Sequence, residues 1–435
     1  METVIKANKN KTQRYKSYKD SGEEWIGGIP EHWEVRKLKH IFVEKKAKAN
    51  MKLSCGAISF GKVVTKEDEK IPEATKASYQ EVKKGEFLIN PLNLNYDLIS
   101  LRIALSYIDV VVSAGYIVLK ACVDMDKGYF KYLLHRYDVA YMKLLGSGVR
   151  QTISFNHISS SLLLYPPKEE QTRIANFLDQ KTAQIDQAIV QKERQIELLK
   201  ERRQILIHNA VTRGLDSNVK MKDSSVEWIG EIPDHWEVKK LKHVSNFITS
   251  GPRGWSEFFS DDGAYFLQSG NLNDTLGIDL ENAVRVKPKE SAEGMRTKLQ
   301  ENDILIVVTG AKTGKVAIAK IGPDEVYINQ HLCLVRLDMN INPAFLSIVL
   351  YSQIGRTYFY LQQYGLKKGL GLEDVKNAPI FLPLTTEQIE IVDYIETIST
   401  KIFAAISLKE QEVEKLKEYK STLINTAVTG KIRVS

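Results

Sequence analysis

Two long stretches of the chain place apolar residues at a helical period. In the first they fall at Ile185, Ile189, Ile196, Leu199, Leu206 and Ala210, and in the second at Ile402, Ile406, Val413, Leu416, Leu423 and Ala427. Alternating steps of three and four make narrow heptad seams, so each stretch predicts a long amphipathic helix and the matched pair predicts a coiled coil. Lys192 and Arg203 interrupt the first seam, and Lys409 and Lys420 the second. Such residues either set the register or carry their charges out to solvent along their stems. Asp179 to Val211 alone would span roughly 50 Å at 1.5 Å per residue, so the helices read as a spacer.

The remaining sequence changes period. Short apolar or alternating runs, "EFLINPL", "YIDVVVSAGYIVLKA", "DILIVVTGA" and "VYINQHLCLVRL", are separated by Gly and Asn turns and predict strands. Helical segments follow, "FKYLLHRYDVAYMKLL" and "PAFLSIVLYSQIGRTYFYLQQ", and then a last strand before proline, "SLLLYPP" and "PIFLPL". The order strands, helix, long helix occurs twice, and so does wording. "DSGEEWIGGIPEHWEVRKLKHI" (20–41) returns as "DSSVEWIGEIPDHWEVKKLKHV" (223–244), an offset of 203, and the segment 169–214 is answered by 386–431, an offset of 217. The second copy therefore carries a net 14 extra residues between those two motifs. A repeat of this kind is read before local structure. The expected fold is α+β, with two globular domains separated by two long helices that form an antiparallel coiled coil with a pseudo-two-fold internal repeat. Boundaries fall at 1–19 (a basic arm), 20–167 (first domain), 168–214 (central helix), 215–383 (second domain) and 384–435 (distal helix). Antiparallel pairing should bring the "AVTGK" end of the distal helix near the first "EWIGGIPEHWEV".

Composition narrows the setting. The 435 residues carry a net charge of +7 with 43% hydrophobic and 26% charged residues, as in ordinary globular domains. No apolar run approaches the roughly 18 residues of a membrane span, and no secretory signal opens the chain. Cys55, Cys122 and Cys333 are widely spaced and form no CxxC pair, which fits a reducing cytoplasm. Lys6, Lys9, Lys11, Arg14, Lys16 and Lys19 against Glu2 alone mark the first 19 residues as either a mobile basic arm or a solvated tail.

Several strings imitate catalytic motifs and fail. "PDHWEVK" (Asp234, Glu237, Lys239) sets its acids too close for a metal nuclease, and the first copy has Glu31 and Arg36 instead of Asp234 and Lys239. "GAKTGKV" (310–316) has three intervening residues where a phosphate loop has four, and Val316 where Ser or Thr meets magnesium. It reads as a glycine-rich turn between strands. "NPLN" at Asn90 lacks the proline and aromatic residue of the amino-methyltransferase loop. The eight histidines hold no HExxH or HxH, so neither a catalytic nor a metal residue is assigned. Trp25, Trp33, Trp228 and Trp236 read as the plug where each domain is pinned to the helices.

The paired "EWIGxIPxHWEVxKLK" segments, the "EEQ" and "TEQ" openings of the long helices and their "AVT" endings together resemble the specificity subunit of type I restriction-modification systems. The resemblance covers nearly the whole chain after the basic arm. It implies a DNA-binding subunit without catalytic machinery of its own, each variable domain being a target-recognition domain for one half of a bipartite double-stranded DNA target. Catalysis would belong to partners, two methyltransferase (modification) subunits using S-adenosylmethionine and two restriction/translocase subunits using ATP and magnesium. No cofactor is expected on this chain.

Base edges are read by Arg, Lys, Asn and Gln, while phosphates take Ser, Thr, Lys and backbone amides. On that chemistry the candidates in the first domain are Asn93, Asn95, Tyr96 and Arg102, with Arg150, Gln151 and Thr152 in "GSGVRQT". In the second they are Arg253 and Trp255 in "SGPRGWS"; Gln268, Ser269 and Asn271; Lys312, Thr313 and Lys315; Asn329 and Gln330; and Lys367 and Lys368 in "GLKKG". "GSGVRQT" and "GLKKG" occupy corresponding places. A rival from another class is a coiled-coil scaffold with peptide-binding domains, and a further one is a self-contained nuclease.

Overall fold

The computed structural model describes residues 13–92, 102–142, 153–288, 291–363 and 369–434. Two units emerge, one of residues 1–192 and 411–435 and the other of residues 193–410. Both repeat one topology.

In the first unit the central sheet comprises β1 (Phe42–Lys45), β2 (Phe87–Ile89), β3 (Ile103–Leu105) and β4 (Ile117–Ala121), in the order β1-β4-β2-β3, antiparallel throughout. Phe87 and Ile89 point into the core that holds helix α1 (Lys127–Ala140), and Leu88 points into a second core with Val82, Val110, Val112 and Val118. Both faces are covered, which is why these strands read as continuous apolar runs. The long helix α2 (Lys168–Arg213) follows.

The second unit builds the same sheet from β5 (Ser245–Ser250), β6 (Ile304–Val307), β7 (Val316–Ile318) and β8 (Leu332–Leu337), in the order β5-β8-β6-β7. Ile304 and Ile306 face one core, and Leu305 and Val307 the other. Here α3 (Pro343–Tyr351) stops at Ser352, whose hydroxyl accepts from the Ile354 amide to start α4 (Gln353–Leu361); α5 (Thr385–Val428) closes the unit. The length difference between the copies has a location. The hairpin of Gly56–Ser59 and Lys62–Thr65 turns on Phe60 and Gly61, both at positive φ, whereas Ala264–Leu267 and Val284–Val286 are joined by the connection 268–283. Two residues there correspond to sixteen here.

The predicted seam forms. In the first unit Ile185 and Ile189 share a core with Val413, Leu423 and Ala427, and Asp186 pairs with Lys420 (2.6 Å) while Lys192 pairs with Glu412, an order that makes the helices antiparallel. In the second unit Ile196 packs with Ile402 and Ile406, flanked by Leu199 and Leu206. Arg203 donates to the Ser399 hydroxyl (3.0 Å) and lies 4.7 Å over the Phe403 ring. Lys192, Arg203 and Lys420 thus take partners on the facing helix.

The repeated words are clamps. Glu170, at the start of α2, accepts from the Trp33 indole (2.9 Å) and meets His32 at 2.6 Å; Glu387, at the start of α5, does the same with Trp236 (3.1 Å) and His235 (2.8 Å). The neighbouring glutamines finish each joint. Gln171 donates to the Pro166 carbonyl and accepts from the amide of Asp126, the N-cap of α1. Gln388 treats Pro383 and Asn342, the N-cap of α3, identically. Trp33 and Trp236 are fully buried, as a plug requires, whereas Trp228 is exposed and Trp25 is only partly buried, against Tyr137 and Tyr141, so one tryptophan of each pair makes the plug.

The basic-arm expectation needs correcting for residues 13–19. Tyr15 packs edge-on against Trp33 and donates to Glu170 (3.0 Å), Tyr18–Asp20 pairs with Gly28–Pro30, and the Arg433 amide donates to the Gln13 carbonyl. Charge alone suggested an arm, but the apolar rings and backbone of this stretch belong to the first unit. Its "AVTGK" end does return to the chain start, with Lys431 donating to the Gly28 carbonyl (2.5 Å).

Candidate nucleic-acid interface

In each domain one backbone hydrogen bond joins the two segments singled out as reading loops. The Ile153 amide, just after "GSGVRQT", donates to the Pro91 carbonyl of "INPL" (3.1 Å), and the Leu370 amide, just after "GLKKG", donates to the Val308 carbonyl before "TGAKTGK" (2.8 Å). The loop base is closed alike too, by Asn90 N to Arg102 O and by Val307 N to Lys315 O, each 2.8 Å. Neither pairing involves a side chain. The scaffold therefore brings the bases of these loops together whatever residues the loops carry.

The second domain adds two more segments to the cluster. "INQH" joins through the Val308 amide, which donates to His331 O, and through the His331 ring, which contacts the Thr309 hydroxyl on one side and the Gln330 amide on the other. Lys312 reaches the Gly270 carbonyl (3.3 Å) of the 268–283 connection, and Lys315 pairs with Asp274 of that connection at 2.7 Å. Lys315 holds the Asp274 carboxyl below the usual carboxylate range. "GAKTGKV" is indeed a turn between antiparallel strands β6 and β7, with Thr313 Oγ1 bonded to the Gly310 carbonyl.

The individual candidates fare unequally. Lys312 and Arg253 are exposed, and Gln268, Ser269, Thr313, Lys315 and Gln330 are partly exposed. Four others are withdrawn from the surface. Arg102 is a buried ion-pair residue, its backbone amide (2.7 Å) and Nε (3.0 Å) donating to Asp138 of α1. Trp255 stacks on Phe266 within a small aromatic core with Tyr327. Asn271 is buried and caps a helical turn by accepting from the Gln268 amide, and Asn329 is buried and accepts from the His331 amide. These side chains satisfy the local backbone or fill a core, which residue type and loop position did not reveal. Asn93, Asn95, Tyr96, Arg150, Gln151, Thr152, Lys367 and Lys368 lie outside the described residues.

Sequence reasoning missed Asp274 and the outward face of α4, whose Gln353, Arg356, Thr357 and Tyr360 line the same groove as the Lys312–Lys315 turn. The spacing i, i+3, i+4, i+7 was the available signal. The "PDHWEVK" string is structural, with Glu237 paired to Lys239 and His235 to Glu387. Among the described residues no three metal-ligating side chains gather, and no helix is long and apolar enough to cross a membrane.

One α+β scaffold, built twice and carrying polar loops of unlike sequence on one shared loop base, defines a two-domain recognition protein. The model of the type I restriction modification DNA specificity domain matches residues 30–198 and 233–416, and the chain belongs to that family. It is 26% identical to the putative type I restriction enzyme MjaX specificity subunit of Methanocaldococcus jannaschii over 94% of this chain and 96% of that one. It is 28% identical to the EcoBI specificity subunit of Escherichia coli over 68% and 63%. Among solved structures, one described as showing complex assembly and conformational transition of the type I system superposes with a TM-score of 0.69 at 17% identity, covering 92% of this chain and 98% of the other. The HsdS subunit of Thermoanaerobacter tengcongensis gives 0.52 at 16%, covering 93% and 98%. The role in DNA sequence specificity follows from the family, and the scaffold alternative is not favoured.

Proposed function

We propose that each α+β domain reads one half of a bipartite duplex target, and that the chain thereby directs two methyltransferase subunits and two restriction/translocase subunits to it. S-adenosylmethionine, ATP and magnesium would be held by those partners. The observation that carries this reading is the loop base built twice by equivalent backbone hydrogen bonds under dissimilar side chains. A shared frame with variable contents suits two independent readings of sequence, because backbone pairing fixes where the loops sit while side chains choose the bases. Co-expression of the full chain with its methyltransferase partner, followed by methylation mapping, tests it. A motif of two specified blocks around an unspecified gap is expected. One contiguous motif would refute the two-reader assignment.

A further inference from the structure

We infer that α4 is a second reading element of the second domain, contacting its half-site beside the Lys312–Lys315 turn. This rests on the proposed function above and deepens it.

The break at Ser352 is the first observation. With ψ at 177° the chain leaves α3, and the Ser352 hydroxyl restarts a helix whose inward face, Ile354, Gly355, Tyr358 and Phe359, is buried. Its other face carries Gln353, Arg356, Thr357 and Tyr360, of which Gln353, Arg356 and Tyr360 are exposed. The turn lies directly on this helix, since a Cβ on Gly314 would meet the Phe359 Cβ at 3.1 Å. Turn and helix bound an open groove of about 680 Å³.

The groove's chemistry suits a nucleic-acid backbone and a base edge. Lys312, Lys315 and Arg356 line it against the single carboxylate of Asp274 among the described lining residues. Arg356 sits 4.6 Å over the Tyr351 ring, which fixes its guanidinium, and Tyr351 in turn donates to the Asp274 carbonyl (2.9 Å). A braced guanidinium beside an exposed lysine is a phosphate seat. Gln353 donates one amide hydrogen to Thr357 (3.0 Å), which orients the amide and leaves its carbonyl oxygen and second N–H for a base edge; Gln meets adenine in that bidentate way. Asp274, 97% exposed at the mouth, repels phosphate until the Lys312 and Arg356 contacts outweigh it, so it discriminates against loose binding. In the first domain α1 runs without such a break from Lys127 to Ala140, with Tyr137 buried against Trp25 and Tyr141.

The test uses the full chain with its methyltransferase partner and two duplexes, one bearing the methylated motif of the wild-type complex and one with that motif scrambled. Arg356→Ala should weaken both by roughly fivefold and lower the slope of log affinity against log salt by about one. Gln353→Ala should weaken only the target duplex, roughly tenfold, and leave one base of one half-motif degenerate in methylation mapping. Asp274→Asn should tighten the scrambled duplex. Thermal melts that match wild type show that these exposed substitutions leave the fold intact, and Arg356→Lys, keeping the charge, should retain most of the salt slope. Wild-type affinities and slopes for both Arg356→Ala and Gln353→Ala would overturn the role of α4. A wild-type complex that distinguishes neither duplex would instead overturn the proposed function.

Discussion

The two Trp-His-Glu clamps are one device under unequal load. Glu387 accepts from Trp236 and meets His235, whereas Glu170 holds Trp33, His32 and also the Tyr15 hydroxyl. Burial pushes the Glu170 carboxyl up, but the hydrogen bonds from His32, Trp33 and Tyr15 outweigh it and hold the group below its ordinary value. The repeat offset puts Asn218 where Tyr15 stands, so the second unit lacks that donor. The lesson is that the repeat supplies a minimal joint, and the chain start reinforces only the joint it happens to reach.

Removing the plug should have the largest effect. Trp33→Ala and Trp236→Ala each empty a fully buried site and leave a glutamate without its indole donor, and a loss of about 3–5 kcal/mol is expected for each. The first should be the worse, since Tyr15 loses its edge contact as well. Urea unfolding followed by circular dichroism ranks them, and a costlier Trp236→Ala would break the comparison.

The glycines ending the long helices should separate the clamps next. Both are left-handed, Gly214 at φ +71° and Gly430 at φ +69°, as at many helix C-termini. A Cβ on Gly430 would lie 2.4 Å from Pro30 Cδ in a rigid ring, but on Gly214 its tightest neighbour is the Glu387 carboxylate at 3.0 Å, which can yield. Gly430→Ala is expected to cost about 2–4 kcal/mol and Gly214→Ala about 1–2 kcal/mol, combining left-handed strain with overpacking. Equal shifts in melting temperature would show that Pro30 moves aside.

The smallest effect sharpens the electrostatic difference. A carboxyl whose folded value is depressed stabilises above its unfolded value, about 4.3 for Glu, and that contribution is lost as pH falls through the folded value. Tyr15→Phe removes one depressing donor. Stability near neutral pH should fall by about 1 kcal/mol, and the acid loss of the Glu170 contribution, which starts from the same unfolded value, should be smaller and complete at a higher pH than in wild type. Unfolding curves collected between pH 7 and 3 measure this, and an unchanged acid limb would mean that His32 and Trp33 alone set the carboxyl.

The clamp residues were legible as a pair because identical words recur, but Glu170 and Glu387 were visible only as helix openings until they met Trp33 and Trp236. Of the reading candidates, Lys312 and Thr313 stand where a basic turn was expected. Arg102 shows the limit. Its position after "INPL" matched that of an interface arginine, yet Asp138, 36 residues later, draws it inside. No local pattern encodes that meeting.

The sequence by itself determined the repeat, the two long helices and their seam, the succession of strands, helix and long helix within each domain and the turn character of "GAKTGKV", because these depend on periodicity and on residues close in the chain. Tertiary structure alone decided which polar residues stay outside. It turned Arg102, Trp255, Asn271 and Asn329 inward, tied Tyr15 to Glu170, and set the α4 face beside the Lys312–Lys315 turn. Burial and pairing depend on partners distant in sequence, and a polar side chain carries the same local signal whether it satisfies its own fold or faces a ligand.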